Sequence, residues 1–267
     1  MSDGKARVMD RTNRDTMGSD GAVATYLQYV EIAPSERVAF ARLRDEVRGR
    51  PILDLGVGAG RTVLPLLELS PDYVGVDYTR RMVETCRRRF PANRFEHADA
   101  RDLSLFRDGQ FKLVVFSCNG ICMVGHEDRL RILREVHRVL AADGVFVFST
   151  SNQHSPEHAE GLVLRGVQPT GHPLKLARRV LLSAATAVRR LYNHLRLRRH
   201  DFRGPEYSII NDRAHDYGTM IYYISLDAQR RQLAEAGFRP GAEAYDLAGR
   251  AIVGDTTDVS MLFIARK

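Results

Sequence analysis

Nowhere in the 267 residues do about 18 apolar residues run together without a charge, which argues against a membrane-spanning helix. Residues 1 to 21 lack the apolar centre of a signal peptide, so the chain is expected to be cytoplasmic. Cysteine is scarce: Cys86, Cys118 and Cys122 cannot all pair with one another, and no Cys-x-x-Cys pair or Cys/His cluster suggests zinc. No metal is expected, and reduced thiols fit a cytoplasmic compartment. Internal repeats and low-complexity tracts are missing as well. With 44% hydrophobic and 27% charged residues, a wholly disordered chain or a fibrous repeat is excluded. The length suits one enlarged domain, or one domain with a cap.

Acidic residues are nearly absent from one stretch. Between Pro173 and Arg203 stand nine Lys and Arg residues against the single acid Asp201, whereas the whole chain carries a net charge of +7. The basicity therefore belongs to one segment, and the rest is close to neutral. Within it, Leu174, Ala177, Leu181, Ala184, Val188, Leu191 and Leu195 recur at helical spacing, with the arginines on other positions. Such an amphipathic strip must bury its apolar side against the catalytic domain as a lid, against a second subunit in a homodimer, or against a lipid surface. Nucleic-acid docking is the remaining role, and nucleic acid is the less expected partner.

What is present is an alternation of short apolar runs and helical patterns. Residues 1 to 24, rich in Gly, Asp, Arg, Ser and Thr without apolar periodicity, read as a flexible tail that could order over a ligand. A helical pattern covers Tyr26 to Val47. Strands are expected at Pro51 to Leu55, Tyr73 to Asp77, Arg94 to Ala98, Lys112 to Ser117 and Val145 to Thr150. Helices are expected after Thr62, over Arg80 to Phe90, and over Glu127 to Ala141, where Asp143-Gly144 supplies a stop. This order specifies an α/β fold, doubly wound around a mainly parallel sheet, with ligands beyond the carboxyl ends of the strands. The run from Ser151 to about Met220 is too long for an ordinary connection and reads as an insertion after the fifth strand. A closing helix, Leu226 to Ala236, and two mutually paired strands, Arg239 to Leu247 and Asp258 to Ala265, complete the chain. The expected division is a core of 25–152 and 222–267 with a helical cap at 153–221.

The most informative stretch runs from Ile52 to Arg61. Gly56, Gly58 and Gly60 let the backbone turn sharply out of a buried strand and approach a ligand with no Cβ in the way. Asp54, two residues before them, would be costly inside an apolar strand unless it met a partner. A dinucleotide-binding fingerprint needs Gly-x-Gly-x-x-Gly, whereas here Gly-x-Gly-x-Gly is followed by Arg61, so a pyrophosphate is disfavoured. Asp77 ends the second strand, where an acid can accept two hydrogen bonds from a ribose diol. Asp99 follows the third strand, within reach of an adenine amino group. Each acid taken singly could equally cap a helix or a loop. Together with the glycine turn they describe a neutral-to-cationic adenosine ligand.

In order, DLGVGAGRT (54–62), VGVDYT (74–79), HADARDL (97–103), KLVVFSCNG (112–120) and REVHRVLAADGVFVFS (134–149) resemble the successive motifs of class I S-adenosylmethionine-dependent methyltransferases of the small-molecule type. The likeness covers about residues 50 to 152, and Tyr222 to Phe238 is similar to the family's closing helix and last strands. It implies a Rossmann-like, seven-stranded sheet and S-adenosyl-L-methionine as cofactor. Gly56, Val57, Gly58, Gly60 and Arg61 would then line the methionine and ribose portion, with Asp54 behind them. Asp77 would bind the ribose hydroxyls, Tyr78 and Met82 would pack near the adenine, and Asp99 and Ala100 would meet its edge. Ser117 to Gly120, including Asn119, would pass beneath the sulfonium. Val57 departs from the small residue or cysteine of many relatives. An Asp/Asn-Pro-Pro-aromatic turn, frequent in enzymes that methylate base amines or glutamine amides, is replaced by Ser-Cys-Asn-Gly.

The implied reaction is transfer of a methyl group to oxygen or nitrogen of a small metabolite. Where the acceptor carries a proton, His154 after the fifth strand, His126 after the fourth and His215 in the returning arm of the insertion are the candidate bases. Cys118 and Cys122 read as small packed residues. Two other functions stay open: methylation of RNA or another polyanion docked on 173–203, and a non-catalytic cofactor-binding protein without an acceptor site.

Overall fold

A computed structural model describes residues 3–159, 161–163 and 170–267. Helices α1 (Asp3–Met17), α2 (Asp20–Tyr26) and α3 (Pro34–Val47) precede β1 (Ile52–Leu55), α4 (Val63–Leu67) and β2 (Tyr73–Asp77). Then come α5 (Arg80–Arg89), β3 (Arg94–His97), β4 (Phe111–Phe116), α6 (His126–Val139) and β5 (Leu140–Asn152). The insertion holds α7 (Pro156–Ala159), α8 (Pro173–Leu197), β6 (Phe202–Arg203), β7 (Tyr207–Asp212) and β8 (Thr219–Ile224). Helix α9 (Leu226–Glu235), β9 (Glu243–Tyr245) and β10 (Ser260–Arg266) close the fold.

Strands β3-β2-β1-β4-β5 pair in parallel in that order, and β10 runs antiparallel between β5 and β9. These seven strands are the expected doubly wound sheet. Alternation along β4 sends Leu113 and Val115 into one core and Val114 and Phe116 into the other; along β5, Val145 and Val147 oppose Phe146 and Phe148. Both faces are thus buried, as a parallel sheet covered by helices requires.

Three features differ from the sequence expectation. Residues 3–26 form two helices instead of a flexible tail. Met9, Asn13 and Met17, spaced by four, turn one buried face of α1 to the domain. The Asn13 side chain donates to the carbonyls of Met123 and Met220, both at 2.8 Å, and accepts from the amide of Met220 at 2.9 Å. The helical pattern over Tyr26 to Val47 is broken before Pro34, whose ring suits the first turn of a helix and not its interior. There Glu36 accepts from the amide of Ala33 at 2.6 Å and starts α3 afresh. The cap, finally, is not only helical. Strand β5 runs 13 residues, past the end of β4, and its last two pair in parallel with Tyr223 and Ile224 of β8. Strands β8, β7 and β6 then continue the sheet as an antiparallel meander.

Candidate active site

The carboxyl ends of β1, β2 and β4 surround a cavity. Its floor depends on glycine. Gly56 has φ +62°, and a Cβ there would stand 2.7 Å from the Phe116 ring; behind the wall, Gly60 has φ +91°, and a Cβ would stand 2.5 Å from Phe90. Asp77 closes one side. Its Oδ2 accepts from the amide of Gly58 at 2.9 Å and its Oδ1 from the amide of Thr79 at 2.7 Å, so each oxygen keeps a lone pair for a ligand. Burial pushes this carboxyl above its ordinary value despite those two bonds. Val76, Met82, Ala98, Ala100 and Phe116 give an apolar slot, and Met17 and Tyr26 bring α1 and α2 into the wall.

Gly56, Gly58, Asp77, Tyr78, Met82, Ala100 and Ser117 therefore converge as expected. Six other expected contacts are not on the wall. Asp54 is wholly buried behind the turn, where its Oδ2 accepts from the hydroxyls of Thr62 (2.6 Å) and Tyr73 (2.8 Å); burial outweighs both bonds and raises its carboxyl to about 6. Val57 is buried in the core around α3 and α4, and Gly60 packs against Phe90 and Cys86. Arg61 turns away to grip Glu36 through both terminal nitrogens, at 2.5 and 2.7 Å. That pair, with Ser117 donating to Glu36, overcomes the burial of the carboxylate and holds it below its ordinary value. Asp99 is claimed by Arg101 and Arg14, which override its burial and lower it to about 2. It fastens α1 to the end of β3 and leaves the cavity edge to Ala98 and Ala100. Asn119 sits in a left-handed turn, where its side chain accepts from Ser260 at 2.8 Å.

A second, more polar cavity adjoins the first, and Tyr26 and Cys118 belong to the walls of both. Its other sides come from the insertion: Glu157, Arg190, and the turn Asp212 to Asp216. His215 stacks on Tyr26 with ring centroids 6.0 Å apart. It opens a run of three left-handed residues, His215, Asp216 and Tyr217, a backbone that costs energy in non-glycine residues and clusters at functional sites. Burial lowers its pKa below 6.5. The other two histidines are elsewhere. His126 begins α6, bonds the Tyr222 hydroxyl at 2.8 Å and stacks on Tyr207. His154 lies 3.4 Å from Asp255 on the outer side, because Asn152 accepts its amide and ties the loop to Thr256 and Asp258.

Residues 52–144, from β1 into β5, match the family model described as a methyltransferase domain. Residues 52–144 thus form a methyltransferase domain on the parallel part of the sheet. Demethylmenaquinone methyltransferase from Clavibacter sepedonicus is 31% identical over 50% of this chain and 56% of its own length. The chain thus spans about half the length of the curated relatives it matches. Two solved structures share the fold of the methyltransferase at low identity. They are the CcbJ methyltransferase from Streptomyces caelestis (TM-score 0.58, 18% identity, 87% of this chain and 89% of that one) and the 1,6-didemethyltoxoflavin-N1-methyltransferase from Burkholderia thailandensis (TM-score 0.57, 14%, 100% and 91%). The methyltransferase cofactor is S-adenosyl-L-methionine, and the cavity suits it. Its wall has no lysine or arginine to meet a pyrophosphate, one buried carboxylate for a diol, and glycines where a Cβ would fill the space.

Sequence reasoning missed Tyr26 and Glu36. Tyr26 lay in a stretch read as tail and helix start, and its lining role arises only from the docking of α1 and α2. Glu36 could have been found as the acid three residues after Ala33, ahead of an apolar helical face.

Proposed function

We propose that the protein transfers the methyl group of S-adenosyl-L-methionine to an oxygen or nitrogen of a small molecule held in the second cavity. The observation that carries this reading is the junction of the two cavities at Tyr26 and Cys118. Bound cofactor supplies a methyl group on a good leaving group, so the chain mainly has to align the acceptor and exclude water. Asp77 holds the ribose hydroxyls, and the slot from Val76 to Phe116 takes the adenine. Helices α1 and α2, through Met17 and Tyr26, are the cover over the cofactor. The insertion, the unit of roughly 153–221, bounds the acceptor side instead.

Of the three candidate bases, His215 alone borders the acceptor cavity. Held neutral by burial, it can take the proton released as the acceptor's oxygen or nitrogen bonds the methyl carbon and the carbon–sulfur bond breaks. A carboxylate acceptor would need no base. The two relatives named for demethylmenaquinone and 1,6-didemethyltoxoflavin act on small molecules, which supports the same class here. The open acceptor cavity counts against a non-catalytic binding protein. Three free thiols are in keeping with a cytoplasmic enzyme. The test is to incubate the protein with cofactor and a metabolite collection and seek a product heavier by one methylene. No product, with cofactor bound and every acceptor class sampled, would overturn the reading.

A further inference from the structure

Helix α8 is held to the protein by the wrong side for a lid. From Arg189 onward its polar side faces inward: Arg190 and Arg189 pair with Asp216, Asn193 donates to the Asp216 carbonyl at 3.0 Å, and His194 bonds Asn211 at 2.9 Å, while the turns from Pro173 to Leu182 are exposed all round. Leu197 is its one buried residue. The apolar side faces water. Leu174, Leu181 and Val188 are 75, 72 and 69% exposed, and Val180, Leu191, Tyr192 and Leu195 extend the same face. At 3.6 residues per turn this face, from Leu176 through Leu195 to Ala185, covers about half the helix circumference, and 25 residues make it roughly 37 Å long. Arg178 and Arg196 border it, and Arg198 and Arg199 follow in the next turn.

We propose that α8 docks the protein on a bilayer surface carrying anionic phospholipid headgroups. An apolar face of half the circumference, flanked by arginine, is the form of a helix that lies in the plane of such an interface. Charge decides between the occupants. A second copy would bring two strongly basic segments together, and α8 holds no Asp or Glu with which to pair them. A two-stranded seam would also cover only a narrow stripe and leave Val180 and Tyr192 in water. Nucleic acid would satisfy the arginines and leave the leucines exposed. An anionic bilayer meets both needs at once. Among the described residues no helix is long and apolar enough to cross a membrane, so the mode is surface docking.

This inference is independent of the methyl-transfer reading. The full chain has no tryptophan, so Leu181→Trp provides a single fluorescent reporter. With vesicles of phosphatidylcholine containing about one-third phosphatidylglycerol, the emission should shift to the blue and the protein should float with the lipid. Pure phosphatidylcholine should retain at least about tenfold less, and raising salt from about 50 to 500 mM should weaken retention. The double variant Leu181→Glu/Val188→Glu should lose flotation while keeping its circular dichroism and its cofactor affinity, since neither residue touches a cavity wall. No flotation of the parent chain on anionic vesicles overturns the proposal. So does concentration-dependent dimerisation abolished by the same double variant without vesicle binding. Retention on single-stranded RNA that the double variant leaves intact, with no vesicle binding, overturns it too.

Discussion

In the proposed reading, Asp77 is the residue on which cofactor affinity turns. Replacing it by Ala removes a charged acceptor for two hydroxyls and unpairs the amides of Gly58 and Thr79, so binding of S-adenosylmethionine should weaken by about 1.5 to 3 kcal/mol, measured by calorimetry. Unchanged affinity would remove it from the ribose site. His215→Ala should lower turnover on a hydroxyl or amine acceptor by about two to four powers of ten with cofactor affinity intact. His154→Ala, on the outer side, should not. Because burial lowers the pKa of His215, the acid limb of the rate profile should lie below 6.5: protonation there removes the base, and activity falls as pH drops through it. At this scale the sequence was half legible. A glycine turn and an acid closing a strand identify Gly56, Gly58 and Asp77, since their local backbone alone fixes their direction. The pairings of Arg61 with Glu36 and of Asp99 with Arg14 were not legible, because these partners lie 25 and 85 residues away in the chain, whereas Arg101, the other partner of Asp99, is only two residues on.

Among the elements, α1 docks through Asn13 in its interior, beside the buried Met9 and Met17 and the Arg14–Asp99 pair. Asn13→Ala would leave the buried carbonyls of Met123 and Met220 and the amide of Met220 without their partner, at a cost of about 2 to 4 kcal/mol. The expected result is faster proteolysis within residues 3–26 and weaker cofactor binding, because Met17 and Tyr26 leave the cavity wall. Protease resistance equal to that of the parent would place the stability of α1 elsewhere. The core elements were legible because each strand is a short apolar run between turn signals. Helix α1 was not: its buried face is Met9, Asn13 and Met17, and a buried asparagine breaks the apolar period by which such helices are recognised. The β6–β8 meander escaped notice for a related reason. Its strands are short, and β8 meets the core only at the last two residues of β5.

At the scale of the whole molecule, global stability should carry the mark of Asp54. Its folded value of about 6 stands above its ordinary 3.8, so between these values the folded state binds the more protons. Stability should therefore fall as pH rises through this window, by on the order of 3 kcal/mol from this residue. Asp54→Asn should flatten that slope and raise the melting temperature at neutral pH. An amide oxygen can still accept from Thr62 and Tyr73, and the Oδ1 it displaces has no partner. Melting curves at pH 4 to 7 for both proteins check this, and a parent curve without the slope would refute it. The join between core and insertion has a consequence for descent. In the sheet it is two rungs, Ser151 with Tyr223 and Asn152 with Ile224, set beyond the last residue of β4. Asp77 and the glycine turn lie on the near side of that splice, and His215 with the insertion's share of the proposed acceptor walls on the far side. A lineage can therefore exchange one insertion for another, provided the new one keeps the Met220 surface on which α1 sits. It would inherit the donor half unaltered, so the range of acceptors can diversify without relearning how to bind the cofactor.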